Sequence, residues 1–272
     1  MRDMAAGDVV PPLPRDYAGV NWLGFWTLYM KEVRRFAKIP MQTVLAPVMM
    51  SLLYMLIFSV ATNGARRPVG NIPYTEFVAP GLVMMTILNN AFANSSSSIL
   101  QAKMMGLSSD FLTPPLSSIE QSGAFVLGAA TRGIVVGLVT LATVWWFAHA
   151  RLAHPWAAVL FMVGASMIMA ELGVLAGLWS EKWDHMAMVQ NFVVMPLTFL
   201  SGTFYTVRFM PEPLRTISHF NPFFYLIDGF RYGFIGVADG SVLIGSLMTV
   251  GFTVGLMVWC WWLFVKGYRL KT

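Results

Sequence analysis

The chain has 272 residues, of which 57% are hydrophobic and only 11% charged, with a formal charge of +5. A soluble domain carries about 25% charged residues, so this chain lacks the polar surface to live in water, and lipid must surround much of it. Its basic residues mostly flank apolar runs, where they meet phospholipid headgroups, and this excludes nucleic acid as the partner of the positive charge. The single cysteine, Cys260, makes no intramolecular disulfide and no cysteine-rich zinc site.

Residues 1–20 hold Pro11, Pro12 and Pro14 among small and polar residues. They lack the apolar core of a signal peptide and read as a disordered tail ahead of one membrane domain over 21–272. Residues 22–38 follow as an amphipathic helix. Trp22, Phe25, Trp26, Tyr29, Val33 and Phe36 recur at spacings of three and four, with Lys31, Arg34, Arg35 and Lys38 opposite. Aromatics on one face and cations on the other suit a helix in the headgroup plane. Ile39 before Pro40 argues against its continuing into the first span, because the residue before proline disfavours the α region.

Six stretches are long and apolar enough to cross a bilayer: 42–62, 77–98, 122–147, 156–180, 188–207 and 242–265. In lipid these must be helices, since they do not alternate as barrel strands do. The fold class is therefore an all-α polytopic membrane protein with six transmembrane helices. Pro47, Pro80 and Pro196 fall inside three spans, as kinks or as hinges. Gly133 with Gly137, and Gly173 with Gly177, are small-xxx-small pairs that let helices approach closely. The run Asn89, Asn90, Asn94 and Ser95 to Ser98 turns one face of span two towards protein or a wet cavity.

Six spans put both termini on one side. Lys31, Arg34, Arg35, Lys38, Lys103, Lys182, Lys266, Arg269 and Lys271 lie on that side, and Arg66, Arg67, Arg151, Arg208, Arg215 and Arg231 on the other. The excess, concentrated beside span one, places both termini in the cytoplasm. On that side residues 99–121 form the longest loop, with a short helix in Asp110-Phe-Leu-Thr-Pro-Pro-Leu-Ser117. Phe111, Leu112 and Leu116 are expected to be exposed there, and to need cover from the chain's own helices or from a partner protein. On the outer side, 208–241 is too short for two spans and too aromatic for a loop. It fits a re-entrant helical hairpin, as an interfacial anchor or a gate. In it Asp228 and Arg231 stand three apart and can pair on one face, and Tyr225 and Tyr232 suit the interface.

Arg132 and Glu171 lie within spans three and four, where ionisable groups are costly. They can pair with each other, or Arg132 can snorkel to the headgroups. No phosphate loop, zinc-protease helix or nucleophile turn occurs, and His149, His154, His185 and His219 are dispersed. Neither catalytic residues nor metal ligands are expected in this chain.

Together these pieces resemble the permease subunits of ABC type-2 exporters, in the branch of NodJ-like and YadH-like proteins. The matching segments are the basic helix ending at Arg34-Arg35-Phe36, Tyr74-Thr-Glu-Phe-Val-Ala-Pro-Gly-Leu82, Phe111-Leu-Thr-Pro-Pro-Leu-Ser117, Pro196-Leu-Thr-Phe-Leu-Ser-Gly-Thr-Phe-Tyr205 and Asn221-Pro-Phe-Phe-Tyr-Leu-Ile-Asp-Gly-Phe-Arg-Tyr-Gly-Phe234. Their order and spacing carry the likeness across nearly the whole chain after residue 20.

The resemblance implies a bacterial inner-membrane exporter of amphipathic or lipid-linked cargo. It implies a dimer with a second copy of the permease, and one separate cytoplasmic ATPase per subunit. ATP and Mg would be bound by that ATPase, with no cofactor in this chain. By the same likeness Asp110, Phe111, Leu112, Pro114, Pro115, Leu116 and Ser117 form the ATPase-coupling helix, and Trp22, Phe25, Trp26, Tyr29, Lys31, Arg34 and Arg35 mark the interfacial helix, a second ATPase contact. Asn221, Pro222, Tyr225, Asp228 and Arg231 mark the outer gate, and Asn89, Asn90, Thr198 and Ser201 line the pathway. Two other readings are an ion-gradient-driven transporter, for which Glu171 alone gives thin support, and a non-transport membrane scaffold.

Overall fold

The computed structural model describes residues 19–61, 72–148 and 152–270. The tail reading up to residue 18, and the positions Arg66, Arg67, His149, Arg151 and Lys271, lie outside the described residues. Every element described is helical. In chain order they are α1 (Trp22–Ala37), α2 (Ala46–Ala61), α3 (Tyr74–Met104), α4 (Ser109–Leu112), α5 (Ser118–Ala148), α6 (Pro155–Trp179), α7 (Trp183–Val189), α8 (Met195–Leu200), α9 (Glu212–Phe220), α10 (Pro222–Ile235) and α11 (Val242–Lys266).

Among the described residues five helices are long and apolar enough to cross a membrane: Met41–Val60, Tyr74–Met104, Ser118–Ala148, Pro155–Trp179 and Val242–Lys266. The fifth expected stretch, 188–207, is displaced. Helix runs unbroken from Trp183 through α7, a π turn at Gln190–Val194 and α8 to Leu200, and turns follow. The expected loop 99–121 is also shorter. Helices α3 and α5 extend into it, because no proline or glycine stops them before Gly106 and after Pro115.

Local chemistry sets the other boundaries. Asn21 caps α1, its Oδ1 accepting from the Gly24 N–H at 3.0 Å. As expected, α1 stops before Pro40. A π turn over Met41–Leu45 then leads into α2, with the Ala46 N–H donating to the Met41 carbonyl five residues back. The same pattern precedes Pro196, where Met195 donates to Gln190.

Helix α3 is the hub. In its most apolar window 83% of residues are buried, against 22% for the first spanning helix and 17% for α11. It packs most extensively on α6 and α5. Both glycine pairs serve this packing. A Cβ at Gly133 would lie 2.9 Å from the Ala91 Cβ, and one at Gly177 would lie 2.9 Å from the Ser96 carbonyl oxygen. Backbones in such contact forgo side-chain bulk for close dispersion contact. The serine run is a protein interface: Ser95 donates to the Ala170 carbonyl at 2.7 Å.

Candidate functional site

One end of the bundle, where α1 lies, gathers the segments expected to contact a partner. Helix α4 has a single turn, and the loop around it runs from Met105 to Ser117. Of the two covers expected for Phe111, the chain's own helices supply it, and the side chain is 1% exposed. Its ring meets Phe125 edge-on at 5.3 Å, because the loop folds back over α5. Leu112 and Leu116 are partly covered by the same cluster. Met105 and Leu107 face outward ahead of the helix, and Ser109, Asp110, Thr113, Pro115 and Ser117 face outward from it to the start of α5. Ser117 and Glu120 make a capping box, with Ser117 N–H donating to Glu120 Oε2 at 2.7 Å and Glu120 N–H to Ser117 Oγ at 3.4 Å. Glu120 Oε1 also accepts from the Asn21 N–H at 2.6 Å, and the Asn21 amide donates to the Pro115 carbonyl at 3.1 Å. One carboxylate therefore ties the start of α1 to the loop. Between the two runs a groove of about 310 Å³, bordered by Thr27, Lys31, Asp110 and Pro114.

The aromatic face of α1 is split, with Phe25 and Tyr29 packed on the bundle beside Leu28. Leu28, Glu32 and Phe36 are buried, whereas Trp22 is 71% exposed and Trp26 is exposed too. Glu32 Oε1 accepts from Ser98 Oγ at 2.7 Å and Oε2 pairs with Arg35 Nε at 3.2 Å. Arg35 is thus not a free cation on the outer face. It also donates to the Asn94 carbonyl at 2.6 Å, to Asn94 Oδ1 at 2.9 Å and to Ser97 Oγ at 3.2 Å. Arg132 of α5 joins the same line, donating to Asn90 Oδ1 at 3.1 Å and Asn94 Oδ1 at 3.5 Å. This polar ladder locks α1 to α3 and α5. Arg132 does not pair with Glu171, whose carboxylate oxygens are buried without a hydrogen-bond partner among the described residues.

At the opposite end, three of the sequence segments singled out above converge. Arg231 of α10 lies over the Phe77 ring at 4.0 Å and donates to the carbonyls of Phe77 at 3.3 Å and Gly202 at 2.6 Å. Tyr74 donates to the Phe204 carbonyl at 2.9 Å. Asn221 donates to the Leu197 carbonyl at 2.7 Å and to Ser201 Oγ at 2.8 Å. Gly202 adopts φ +76°, which a side chain disfavours, and so allows the tight turn that aims these carbonyls at Arg231. The expected Asp228–Arg231 pair does not form. Asp228 instead accepts from the Asp239 and Gly240 N–H groups at 2.9 and 2.8 Å, closing the chain before α11. Backbone donors at the turn outcompete a helix neighbour already occupied by carbonyls. Pro222 starts α10, Tyr225 is half-buried, and Tyr232 stacks on His154 at 4.4 Å.

Of the four pathway positions, Asn90, Thr198 and Ser201 are buried within the chain's own packing. Thr198 donates to Val194 and accepts from Thr203, and Ser201 donates to Leu197. Asn89 is partly exposed, and its amide donates to the Met85 carbonyl at 2.8 Å.

Sequence reasoning overlooked three charged residues that organise this geometry. Glu32 falls four residues from both Leu28 and Phe36, so the stripe itself marked it as inward. Glu120 stands three after Ser117, a capping-box spacing. Lys103 had no such signal. It is 4% exposed and donates to the carbonyls of Leu178 at 2.7 Å, Ser180 at 2.6 Å and Gly177 at 3.3 Å, closing the end of α6. Among the described residues no three His, Cys, Asp or Glu side chains group as metal ligands.

A family model described as ABC-2 type transporter matches residues 24–235. The chain is 32% identical over 252 residues to the inner membrane transport permease YadH of Escherichia coli (strain K12), spanning 92% of this chain and 98% of that one. It is 24% identical over 252 residues to nodulation protein J of Rhizobium leguminosarum bv. trifolii, spanning 89% and 92%. With nodulation protein J of Neorhizobium galegae it shares 22% over 244 residues, spanning 84% and 87%. The matched range takes in α1, the polar ladder, the α4 loop and the segments that meet at Arg231, and the chain belongs to the ABC-2 type transporter family.

Proposed function

We propose that this chain is the permease subunit of an ATP-driven exporter of the bacterial inner membrane, powered by a separate cytoplasmic ATPase that binds ATP and Mg. The observation that carries the reading is the groove between α1 and the α4 loop, tied together by Glu120. A partner element seated there pushes on two connected levers. The α4 loop leads directly into α5, and α1 reaches α3 through Glu32 and Arg35. Motion at the groove is thereby passed to the hub of the bundle as a rigid-body shift between two packings. The permease contributes no bond-making chemistry, only this differential stability.

In this reading the run from Trp183 to Leu200 is the fifth of six crossings. Its 18 residues span about 27 Å, near the thickness of the hydrocarbon core. Both termini are cytoplasmic, α1 lies in the headgroup plane, and α9 with α10 is the re-entrant hairpin of the outer gate. A second copy meets this one through the exposed apolar faces of α2 and the 183–200 helix, where Leu53, Leu56 and Phe192 are bare. Asn89 is the polar side chain open to that face. An amphipathic cargo suits these surfaces.

The test is affinity purification of the tagged chain in mild detergent, followed by transport in vesicles. A co-purifying soluble ATPase with a phosphate loop, and ATP-dependent export that stops when it is omitted, are expected. Cargo flux driven by a proton gradient without that subunit overturns the reading.

A further inference from the structure

Helices α6, α7–α8 and α11 leave an open cleft of about 690 Å³ between them. Leu175 and Trp179 of α6, Val193 of the π turn, and Phe252, Trp259 and Trp262 of α11 line it, and none of its lining side chains is charged. Along α6 the cleft runs from Ile168 to Trp179, and along α11 from Phe252 to Leu263. Eleven helical steps span about 17 Å, against about 15 Å for the hydrocarbon of one leaflet. The cleft is thus about one leaflet long, and its Trp179 and Tyr268 end lies on the side where α1 packs, beside Leu178 and Leu270. There Trp179, Trp262 and Tyr268 form an aromatic rim, as at a headgroup level.

A cation stands at that mouth. Lys266 Nζ lies 3.8 Å from the centroid of the Trp262 ring, and among the described residues no carboxylate lies within ion-pair reach of it. Arg269, nearby, is already held by Glu181 at 3.3 Å and by the Trp179 carbonyl at 2.7 Å. The lining decides what fits: an uncharged, aromatic and aliphatic wall suits an acyl chain, the unpaired Lys266 at its mouth suits an anionic headgroup, and the volume lies within the about 300–1,000 Å³ of small-ligand cavities.

We propose that this cleft is a binding site for one anionic phospholipid of the leaflet on the α1 side, an acyl chain lying against Leu175, Leu256 and Trp259 and the headgroup phosphate on Lys266. The site stands apart from transport and does not depend on an ATPase partner.

The test places the full-length protein in nanodiscs of equal phosphatidylglycerol and phosphatidylcholine, then counts retained lipid by native mass spectrometry after a stringent detergent wash. Phosphatidylglycerol should be retained over phosphatidylcholine by about fivefold, the advantage of one lysine at a lipid surface. Lys266→Gln should bring the two lipids to parity, and Leu256→Trp should expel both by filling the cleft. Lys266 is exposed, so its variant tests the site even where the tryptophan variant fails to fold. Equal retention of both lipids by the unaltered protein, or unchanged selectivity in Lys266→Gln, overturns the proposal. So does a Leu256→Trp variant that dissociates a dimer while keeping its phosphatidylglycerol, since the cleft then houses a second copy.

Discussion

Replacing Glu32 by alanine tests whether α1 is part of the bundle or merely rests on it. The change removes the carboxylate that accepts from Ser98 at 2.7 Å and pairs with Arg35 at 3.2 Å. A hydrogen bond to a charged acceptor contributes about 1.5–3 kcal/mol. The ion pair contributes about 1 kcal/mol or less, because Arg35 is 28% exposed and water screens it. Arg35 is not orphaned, since Asn94 and Ser97 still accept from it. The relief of no longer burying a carboxylate offsets part of the loss, leaving a net cost of about 2–3 kcal/mol. At about 2–4 °C per kcal/mol for a chain of this size, the apparent Tm should fall by about 5–10 °C. Glu32→Gln keeps the shape and an acceptor for Ser98, and should fall by about 2–4 °C. A double-mutant cycle with Ser98→Ala in detergent, read by thermal unfolding, should return a coupling of about 1–2 kcal/mol. Amide exchange should rise first between Leu28 and Phe36. A Glu32→Ala protein within about 2 °C of the parent, or a coupling near zero, refutes the idea that the ladder joins α1 to α3.

Arg231→Met removes the donor shared by the Phe77 and Gly202 carbonyls, and should lower stability by about 3 kcal/mol in the same unfolding assay. Lys103→Met, which leaves three carbonyls at the end of α6 without a donor, should cost about 2–4 kcal/mol and speed amide exchange in the last turn of that helix. Gly173→Ala sets a methyl against the Phe92 carbonyl and Ser95, and should cost about 1–3 kcal/mol by separating α3 from α6. At the α4 loop, Phe111→Ala should lose about 3–5 kcal/mol as a core deletion, whereas Asp110→Lys with Pro115→Glu should unfold at the parent temperature and lose a co-purifying ATPase.

The membrane class and most helices were legible in composition, because 20 apolar residues in a row leave a chain few alternatives. The glycine pairs were legible for a related reason: a missing side chain is useful in a membrane helix chiefly where another backbone approaches. What the residues hid was the destination of polar groups. Asp228 and Arg231 share a helix face, yet each finds backbone partners from segments more than ten residues away or across the fold, and only tertiary contact reveals them. For Phe111 the sequence left two covers open, the chain's own helices or a partner, and the fold turns it onto Phe125. Lys103 looked like one more cytoplasmic cation, since nothing in its neighbourhood announces carbonyls some 75 positions on. The expected stretch 188–207 overran its helix because apolarity continues past Leu200, where the Gly202 turn ends the winding.

The two π turns carry a consequence for how mutations in their helices will read. Each inserts one residue into the winding, and one extra residue rotates everything downstream by about 100°. A stripe of side chains followed from Trp183 therefore does not continue in phase beyond Gln190–Val194, where Phe192 and Val193 face outward while Val194 and Thr198 turn in. Substitution tolerance along 183–200 should show two short helical waves offset by that angle rather than a single one. The same discontinuity at Met41–Leu45 sets the phase of α2 apart from the turn before it, with Thr43 bonded back to the Phe36 carbonyl and Ser51 meeting Thr86 of α3.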